Sequence, residues 1–396
     1  MLTYEFKLKP TQNQIGIFEE WLEAHRRVYN HALAERKDWY KSRSCQIKAC
    51  SLHSCYIIPA DAPRPTYASQ CKSLTAARKS NEYLGKINAQ SLQQTLRRLE
   101  KAFVSMWEQN HGFPRFKKVG RMRSFSFPQL SKNPLQNGYI KLPVIGNVKL
   151  RQSRSIPDSG VLKQARVVKR VSGWYVMLTV QWDVNPPQPM PHGEGIGVDV
   201  GLTSFVATSN GLLIKRPAFF VDAERKLKLL QQRVSRKRKG SNNWLKATMK
   251  VARLHEYVAN CRKDWHRKLS HQLCNNVGMI FVEDLNLVGL SRGMLGKHCL
   301  DAGFGQFFNI LEQICFKRGV YFQKVYARKT SQICPNCQHE TGKKTLAERV
   351  HKCDNCGYVT DRDVAASRVV LIRGLAAVGH TVKMLSEGKF IGIPVS

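Results

Sequence analysis

Hydrophobic and polar positions change their period twice along the chain. A short strand-like start ends at Lys7 to Lys9, and Pro10-Thr11-Gln12-Asn13-Gln14 then reads as a helix N-terminus in which Thr11 and Gln14 form a capping box. The inward stripe continues at helical spacing through Phe18, Trp21, Leu22, His25, Val28, Tyr29 and Ala32. A second stripe, Leu92, Leu96, Leu99, Ala102, Phe103 and Met106, leaves Arg97, Arg98 and Lys101 on another face. Residues from about 13 to 110 are therefore expected to be mostly helical. After the basic, aromatic stretch Gly112 to Lys118 the period drops to two: Phe125, Phe127, Ile140, Leu142, Val148 and Leu150 alternate with polar residues. Ala165 to Trp182 reads as a hairpin turning at Ser172-Gly173, and the segment as a whole predicts a small barrel or sandwich.

Pro186, Pro187, Pro189 and Pro191 form a stiff linker, which puts a domain boundary near residue 188. Beyond it, Gly195 to Gly201 and Ser204 to Thr208 read as strands bounded by Asn210-Gly211. Helices follow, and Met279 to Asp284 and Val320 to Ala327 are further strands, so this half predicts an α/β sheet. The basic helix from Met249 to Leu273 carries the stripe Val251, Leu254, Val258, Cys261, Trp265, Leu269 and Leu273. That stripe is core, and Arg253, Arg262, Lys263, His266 and Arg267 are left to track a nucleic-acid backbone. Gly193, Gly195, Gly197 and Gly201 are too irregular for a phosphate-binding loop.

Charge narrows the partner. The 396 residues hold 64 Lys plus Arg against 28 Asp plus Glu, a formal charge of +36 that repels itself unless a polyanion covers it. The charge is spread along the chain instead of being gathered on one amphipathic helix, which favours an enveloping nucleic-acid contact over a membrane. No apolar signal core opens the sequence and no run reaches a membrane span, so a cytosolic location is expected.

Four of the twelve cysteines have metal-ligand spacing. Cys334-Pro335-Asn336-Cys337 and Cys353-Asp354-Asn355-Cys356 are two matched pairs, and Gly357 permits the tight turn after the second. Four thiolates leave no open coordination position, so the expected zinc ion is single and structural.

Acids provide the candidate chemistry. Ile196-Gly197-Val198-Asp199 and Met279-Ile280-Phe281-Val282-Glu283 are apolar strands that end in carboxylates, which are costly to bury without a cation or hydrogen bonds. The strand after Asp199 gives the β-hairpin opening of RNase H-like folds. A third acid comes from Asp361-Arg362-Asp363, where Asp361 suits a helix cap and Asp363 projects from the first turn. Three acids on separate elements are what a two-metal phosphodiesterase needs, with ions about 3.5 to 4 Å apart.

These residues resemble the TnpB family of small bacterial insertion sequences and, less closely, the type V CRISPR effectors. The likeness is carried by Tyr4 to Thr11, Gly112 to Lys118, Gly197 to Gly201, Arg262 to Ser270, Val282-Glu283-Asp284-Leu285, Thr330-Ser331-Gln332 and Asp361-Arg362-Asp363. It also lies in the order acid, acid, zinc ribbon, acid. The resemblance implies an α/β RuvC-like nuclease domain over 189–331 and 359–396, with a zinc ribbon inserted at 332–358. It further implies an all-α recognition region over 13–116 and a wedge-like β-barrel domain over 1–12 and 117–188. Asp199, Glu283 and Asp363 would be both the catalytic residues and the ligands of two Mg2+ ions. The partners would be a guide RNA derived from the transposon end and target double-stranded DNA, cut beside a short transposon-adjacent motif, with the chain monomeric on its RNA. Gln93, on the helix that also holds Gln94, is similar in position to residues approaching that motif. The sequence departs from the family at Ala365, where an Asn usually stands. Three alternatives share much of this pattern: an RNase H-like transposase, a nuclease-inactive RNA-guided repressor and a small type V CRISPR effector. The closed zinc ribbon before the last acid argues against the transposase.

Overall fold

The computed structural model describes residues 1–44, 58–59, 61–157, 160–182, 187–345, 347–384 and 390–394. Pro186 of the linker and parts of the C-terminal tail lie outside them. The chain divides into two compact units, Met1–Asn185 and Pro186–Ser396.

In the first unit, β1 (Leu2–Lys9) leads into α1 (Gln12–Ser44), α2 (Tyr67–Ser80), the single turn α3 (Glu82–Gly85) and α4 (Ala89–Glu108). Then come β2 (Ser124–Phe127), β3 (Leu135–Gln136), β4 (Tyr139–Leu142), β5 (Gly146–Arg151), β6 (Val161–Arg170) and β7 (Gly173–Gln181). The capping box opens α1: Thr11 N–H donates to Gln14 Oε1 at 3.0 Å and Gln14 N–H to Thr11 Oγ1 at 3.3 Å. The strands form one antiparallel ladder in the order β2-β6-β7-β1-β5-β4-β3. Its inward residues Phe125, Phe127, Val148, Val176 and Leu178 join Phe18, Trp21, Leu92, Leu96 and Phe103 of the helices in one core. Phe18 meets Trp174 edge-on with ring centroids 4.9 Å apart. His25 ties α1 to α4, with Nδ1 2.6 Å from Trp21 O and Nε2 2.8 Å from Ser91 Oγ, and burial pulls its pKa down to about 4.

The hairpin turn is Val171-Ser172, one residue earlier than the sequence reading placed it. Arg170 pairs with Gly173, which stays in the ladder at φ 125°, a conformation open to glycine.

The second unit contains β8 (Gly195–Asp199), β9 (Ser204–Thr208), β10 (Leu213–Lys215), α5 (Phe219–Ser235), α6 (Asn242–Leu273) and β11 (Met279–Asp284). It continues with α7 (Leu287–Arg292), α8 (Gly296–Ala302), α9 (Phe304–Arg318), β12 (Tyr321–Tyr326), a 3-10 turn Thr330–Gln332, β13 (Val350–Lys352), β14 (Val359–Asp361), α10 (Arg362–Ala377), β15 (His380–Met384) and β16 (Phe390–Pro394). The main sheet runs β10-β9-β8-β11-β12. β8, β11 and β12 are parallel, and β9 is antiparallel to both β8 and β10.

Side chains alternate across this sheet. Ile196, Val198, Ile280 and Val282 face a core shared with α6 and α9, whereas Met279 and Phe281 face a core shared with Val370 and Leu371 of α10. The same period of two puts Gly195, Gly197 and Asp199 with Phe281 and Glu283 on the α10 side. Gly197 is what lets the helix approach, since a Cβ there would lie 2.0 Å from Ser367 O and 2.6 Å from Leu371 N. Gly374 of α10 is packed as closely over the Phe281 ring, where a Cβ would lie 2.1 Å from Cγ. Gly197→Ala should therefore cost about 1–3 kcal/mol or more through overpacking and displace α10. Chemical denaturation checks this, and an unchanged midpoint would show that the helix yields freely.

The sequence reading of α6 needs two corrections. His266 is a core residue, 0% exposed, stacked on Phe205 with its Nε2 3.1 Å from Ala302 O, so it tracks no backbone. Arg262 is half-buried and donates to Leu300 O and Asp301 O, fastening α6 to α8. The expectation failed at these two because the helix is gripped on two faces, by the sheet and by α8 and α9. No helix among the described residues is long and apolar enough to cross a membrane.

Candidate functional site

Asp199 ends β8 and Glu283 is the penultimate residue of the neighbouring parallel strand β11, where Val198 pairs with Val282. Parallel register and shared facing bring both carboxyls to the carboxyl edge of the sheet, where ligands of open α/β sheets collect. The first turn of α10 carries Asp363 to the same place. Asp199 feels the charges of both Glu283 and Asp363. Glu283 and Asp363 are thus near enough to Asp199 to act on its charge, although among the described residues only the four ribbon cysteines hold their ligand atoms within 4.8 Å of one another; Gln93 belongs to α4 of the first unit, where it is half-buried.

The electrostatics of the cluster are those of carboxylates crowded without enough counter-charge. Burial first, and then Glu283 and Asp363, push the Asp199 carboxyl well above its ordinary range. Burial raises Glu283, opposed by a hydrogen bond from Thr330 and by the charge of Arg373. Asp363 is raised by burial and by Asp361, and lowered by Arg349, Arg362 and a bond to Ser204. Glu283 is 6% exposed, and its Oε1 is buried without a hydrogen-bond partner. An orphaned carboxylate oxygen beside a buried Asp199 that is raised by two neighbouring acids is what a divalent cation would satisfy, and oxygen-only ligands suit Mg2+. Asp284, next along β11, faces the other way and is exposed.

Asp361 is a helix cap: one carboxylate oxygen accepts from Asp363 N–H at 2.8 Å and Val364 N–H at 3.2 Å. Asp361→Ala should cost about 1 kcal/mol and leave divalent-ion binding largely in place. Thermal unfolding and ion titration check this; a loss of ion binding equal to that of Asp363→Ala would transfer the third ligand to Asp361. Ala365 is buried at 1% exposure and offers no side-chain hydrogen bond beside Asp363.

A separate candidate metal site is formed by the ribbon. The sulfurs of Cys334, Cys337, Cys353 and Cys356 all lie within 4.8 Å of one another. Two pairs cross between knuckles, Cys334 to Cys356 and Cys337 to Cys353, each at 3.6 Å. A Zn–S length of about 2.3 Å sets sulfurs about 3.8 Å apart in a tetrahedron, so the cluster fits zinc. Each knuckle folds alike, with Gln338 N–H donating to Cys334 O and Gly357 N–H to Cys353 O, both at 2.9 Å. Both donors are left-handed, at φ 62° and 69°. The third residue of each knuckle reaches across: Asn336 Nδ2 to Cys356 Sγ and Asn355 Nδ2 to Cys337 Sγ, at 3.6 Å.

Several neighbours were not singled out from sequence. Thr330 from the 3-10 turn acts on Glu283 and Ser204 from the start of β9 acts on Asp363, and Arg373 counters Glu283 from α10. Lys344 sits 2.6 Å from His351 Nδ1 and close enough to Cys334 and Cys353 to feel their charge. Polar residues in loops carry no period, so only the Thr330-Ser331-Gln332 run, noted for its resemblance, pointed toward one of them.

Family models match three stretches of this chain: "Probable transposase" over residues 177–293, "Cas12f1-like, TNB domain" over 304–370 and "Helix-turn-helix domain" over 1–45. A protein of Escherichia coli K12 described as "Putative RNA-guided DNA endonuclease InsQ" is 29% identical, covering 99% of this chain and 96% of the relative. Another from Streptomyces pristinaespiralis, "Putative RNA-guided DNA endonuclease", is 30% identical over 94% of this chain and 89% of its own length. In fold, the chain is similar to the protein of a Cas12f1-sgRNA-target DNA complex, with a TM-score of 0.53 at 16% identity, covering 91% of this chain and 83% of that one. Full-length relatives, the match to the transposase model and the shared fold agree with the motifs along the sequence, and the chain belongs to the TnpB family.

Proposed function

We propose that the chain is an RNA-guided DNA endonuclease of the RuvC type, cutting double-stranded target DNA beside a short transposon-adjacent motif. The observation that carries it is the meeting of Asp199, Glu283 and Asp363 at one sheet edge, with Glu283 Oε1 buried and unpartnered. Family membership supports the same reading, since both full-length relatives are described as RNA-guided DNA endonucleases. On this reading the second unit is the RuvC-like nuclease with its zinc ribbon, and the first combines a wedge-like sheet with a helical recognition region. Gln93 on α4 approaches the adjacent motif.

Asp199, Glu283 and Asp363 would hold two Mg2+ ions, which supply an activated water and stabilisation of the leaving oxygen. The rest is positioning by the chain. Adjacent parallel strands fix the spacing of Asp199 and Glu283, while Gly197 and the Asp361 cap fix the first turn of α10 and with it Asp363. Thr330 and Ser204 orient two of the carboxyls, and Arg349, Arg362 and Arg373 offer positive charge to a phosphodiester. Guide pairing would open the duplex, so that strand choice rests on RNA and not on base-reading side chains.

Purifying the chain with its native flanking DNA and sequencing the bound RNA tests this. A scaffold from the transposon end supports it, a CRISPR-array transcript moves the chain to the type V effectors, and no RNA favours a transposase. Binding to RNA or duplex DNA should fall steeply between roughly 50 and 200 mM salt because many phosphates are neutralised at once. A flat profile would assign the +36 charge to another role. Ala365, in place of the family's Asn, is the one feature that favours a nuclease-inactive repressor, and metal-dependent cleavage would exclude that reading.

A further inference from the structure

The α5–α6 hairpin has more charge than its packing can use. Between residues 225 and 253 lie eleven lysines and arginines and no acid. Among the described residues, none of these eleven forms an ion pair with a carboxylate. Leu227 is the one buried residue of α5, and before Val258 α6 buries only Ala247. The base of the hairpin is firmly held: Asp301 Oδ1 accepts from Phe220 N–H at 2.8 Å where α5 has no cap of its own, and Lys297 pairs with Glu224 at 2.8 Å. A rigidly rooted, self-repelling arm stays extended and costs little to place against a polyanion.

Between the two helices runs a groove of about 690 Å³ with an apolar floor that includes Leu230 and Leu254. Exposed Lys226, Lys250 and Arg253 line it, as does Tyr257, which is 66% exposed. Cations beside an exposed aromatic ring form the pattern that binds single-stranded nucleic acid, with phosphates on the cations and a base on the ring. Asp222, the one acid among the lining residues, is an acceptor that a ribose 2′-hydroxyl can satisfy and deoxyribose cannot.

Resting on the proposed RNA-guided function, we propose that this groove binds an unpaired stretch of the guide RNA. Tyr257 stacks on a base, Lys226, Lys250 and Arg253 hold flanking phosphates, and Asp222 accepts from a 2′-hydroxyl. The rest of the arm follows the RNA backbone away from the groove. The arm is thus an RNA-holding element separate from the acids that cut.

The test uses the full chain, the RNA that copurifies with it, stripped and relabelled, and a single-stranded DNA of the same sequence. Tyr257→Ala should weaken RNA binding about tenfold, the effect of losing one stacked base, and Tyr257→Phe should restore it. Lys250→Glu with Arg253→Glu should lower affinity and flatten the salt dependence by about 1.4 in the log–log slope, from about 0.7 per phosphate contact. Asp222→Ala should narrow the preference for RNA over DNA. All these side chains are exposed, so melting temperatures should be unchanged. RNA affinity and slope equal to wild type in these variants overturns this proposal alone, and so does a loss confined to DNA. A wild-type chain that binds no RNA overturns the functional reading and this proposal with it.

Discussion

Asp199→Ala, Glu283→Ala and Asp363→Ala should each abolish guided cleavage while leaving RNA and target binding nearly intact. Loss of a residue that merely supports a metal ligand typically lowers affinity or activity about 10- to 100-fold, and loss of a ligand from so small a set should exceed that. Binding survives because it rests on backbone charge and base pairing, to which three acids contribute nothing favourable. The measurement is single-turnover cleavage of a matched plasmid beside a binding assay for the same target. Cleavage within tenfold of wild type in all three variants would remove the acids from the chemistry.

Cys334→Ser or Cys353→Ser should lower zinc content and folded yield together. Both cysteines are fully buried, and a structural zinc site contributes on the order of 10 kcal/mol to a small module. The ribbon has little else to hold it, since β13 and β14 are three residues each. Its collapse should reach the acids, because β14 ends at Asp361, the residue that caps α10. Metal analysis and unfolding of the same preparations check this, and full zinc occupancy with wild-type stability in either variant would contradict it.

Apolar period makes much of this fold readable from the sequence. Phe18 to Ala32 and Leu92 to Phe103 have the helical stripe of buried residues, and alternation in β8 and β11 determines which side Asp199 and Glu283 face. Along β11 both faces are buried up to Glu283, so the period alone does not say which of Glu283 and Asp284 turns toward α10; that choice comes from the resemblance. Close approach, by contrast, left only absences in the sequence: Gly197 of β8 and Gly374 of α10 matter for the Cβ they lack where sheet and helix meet, and glycine spacing gave no hint of that contact. Gln338 takes the left-handed position that Gly357 fills in the other knuckle, so knuckle geometry is set by the cysteines more than by the turn residue. His266 misled because a polar residue on a basic helix reads as surface until a second layer of helix covers it.

The central claim, one cation site shared by three elements, is tested most directly by anomalous scattering from Mn2+ substituted for Mg2+ in crystals of the RNA-bound chain. The account predicts anomalous density bounded by the carboxylates of Asp199, Glu283 and Asp363, lost in Asp363→Ala and retained in Asp361→Ala. Density elsewhere in the chain, or none among these acids at saturating Mn2+, would contradict it.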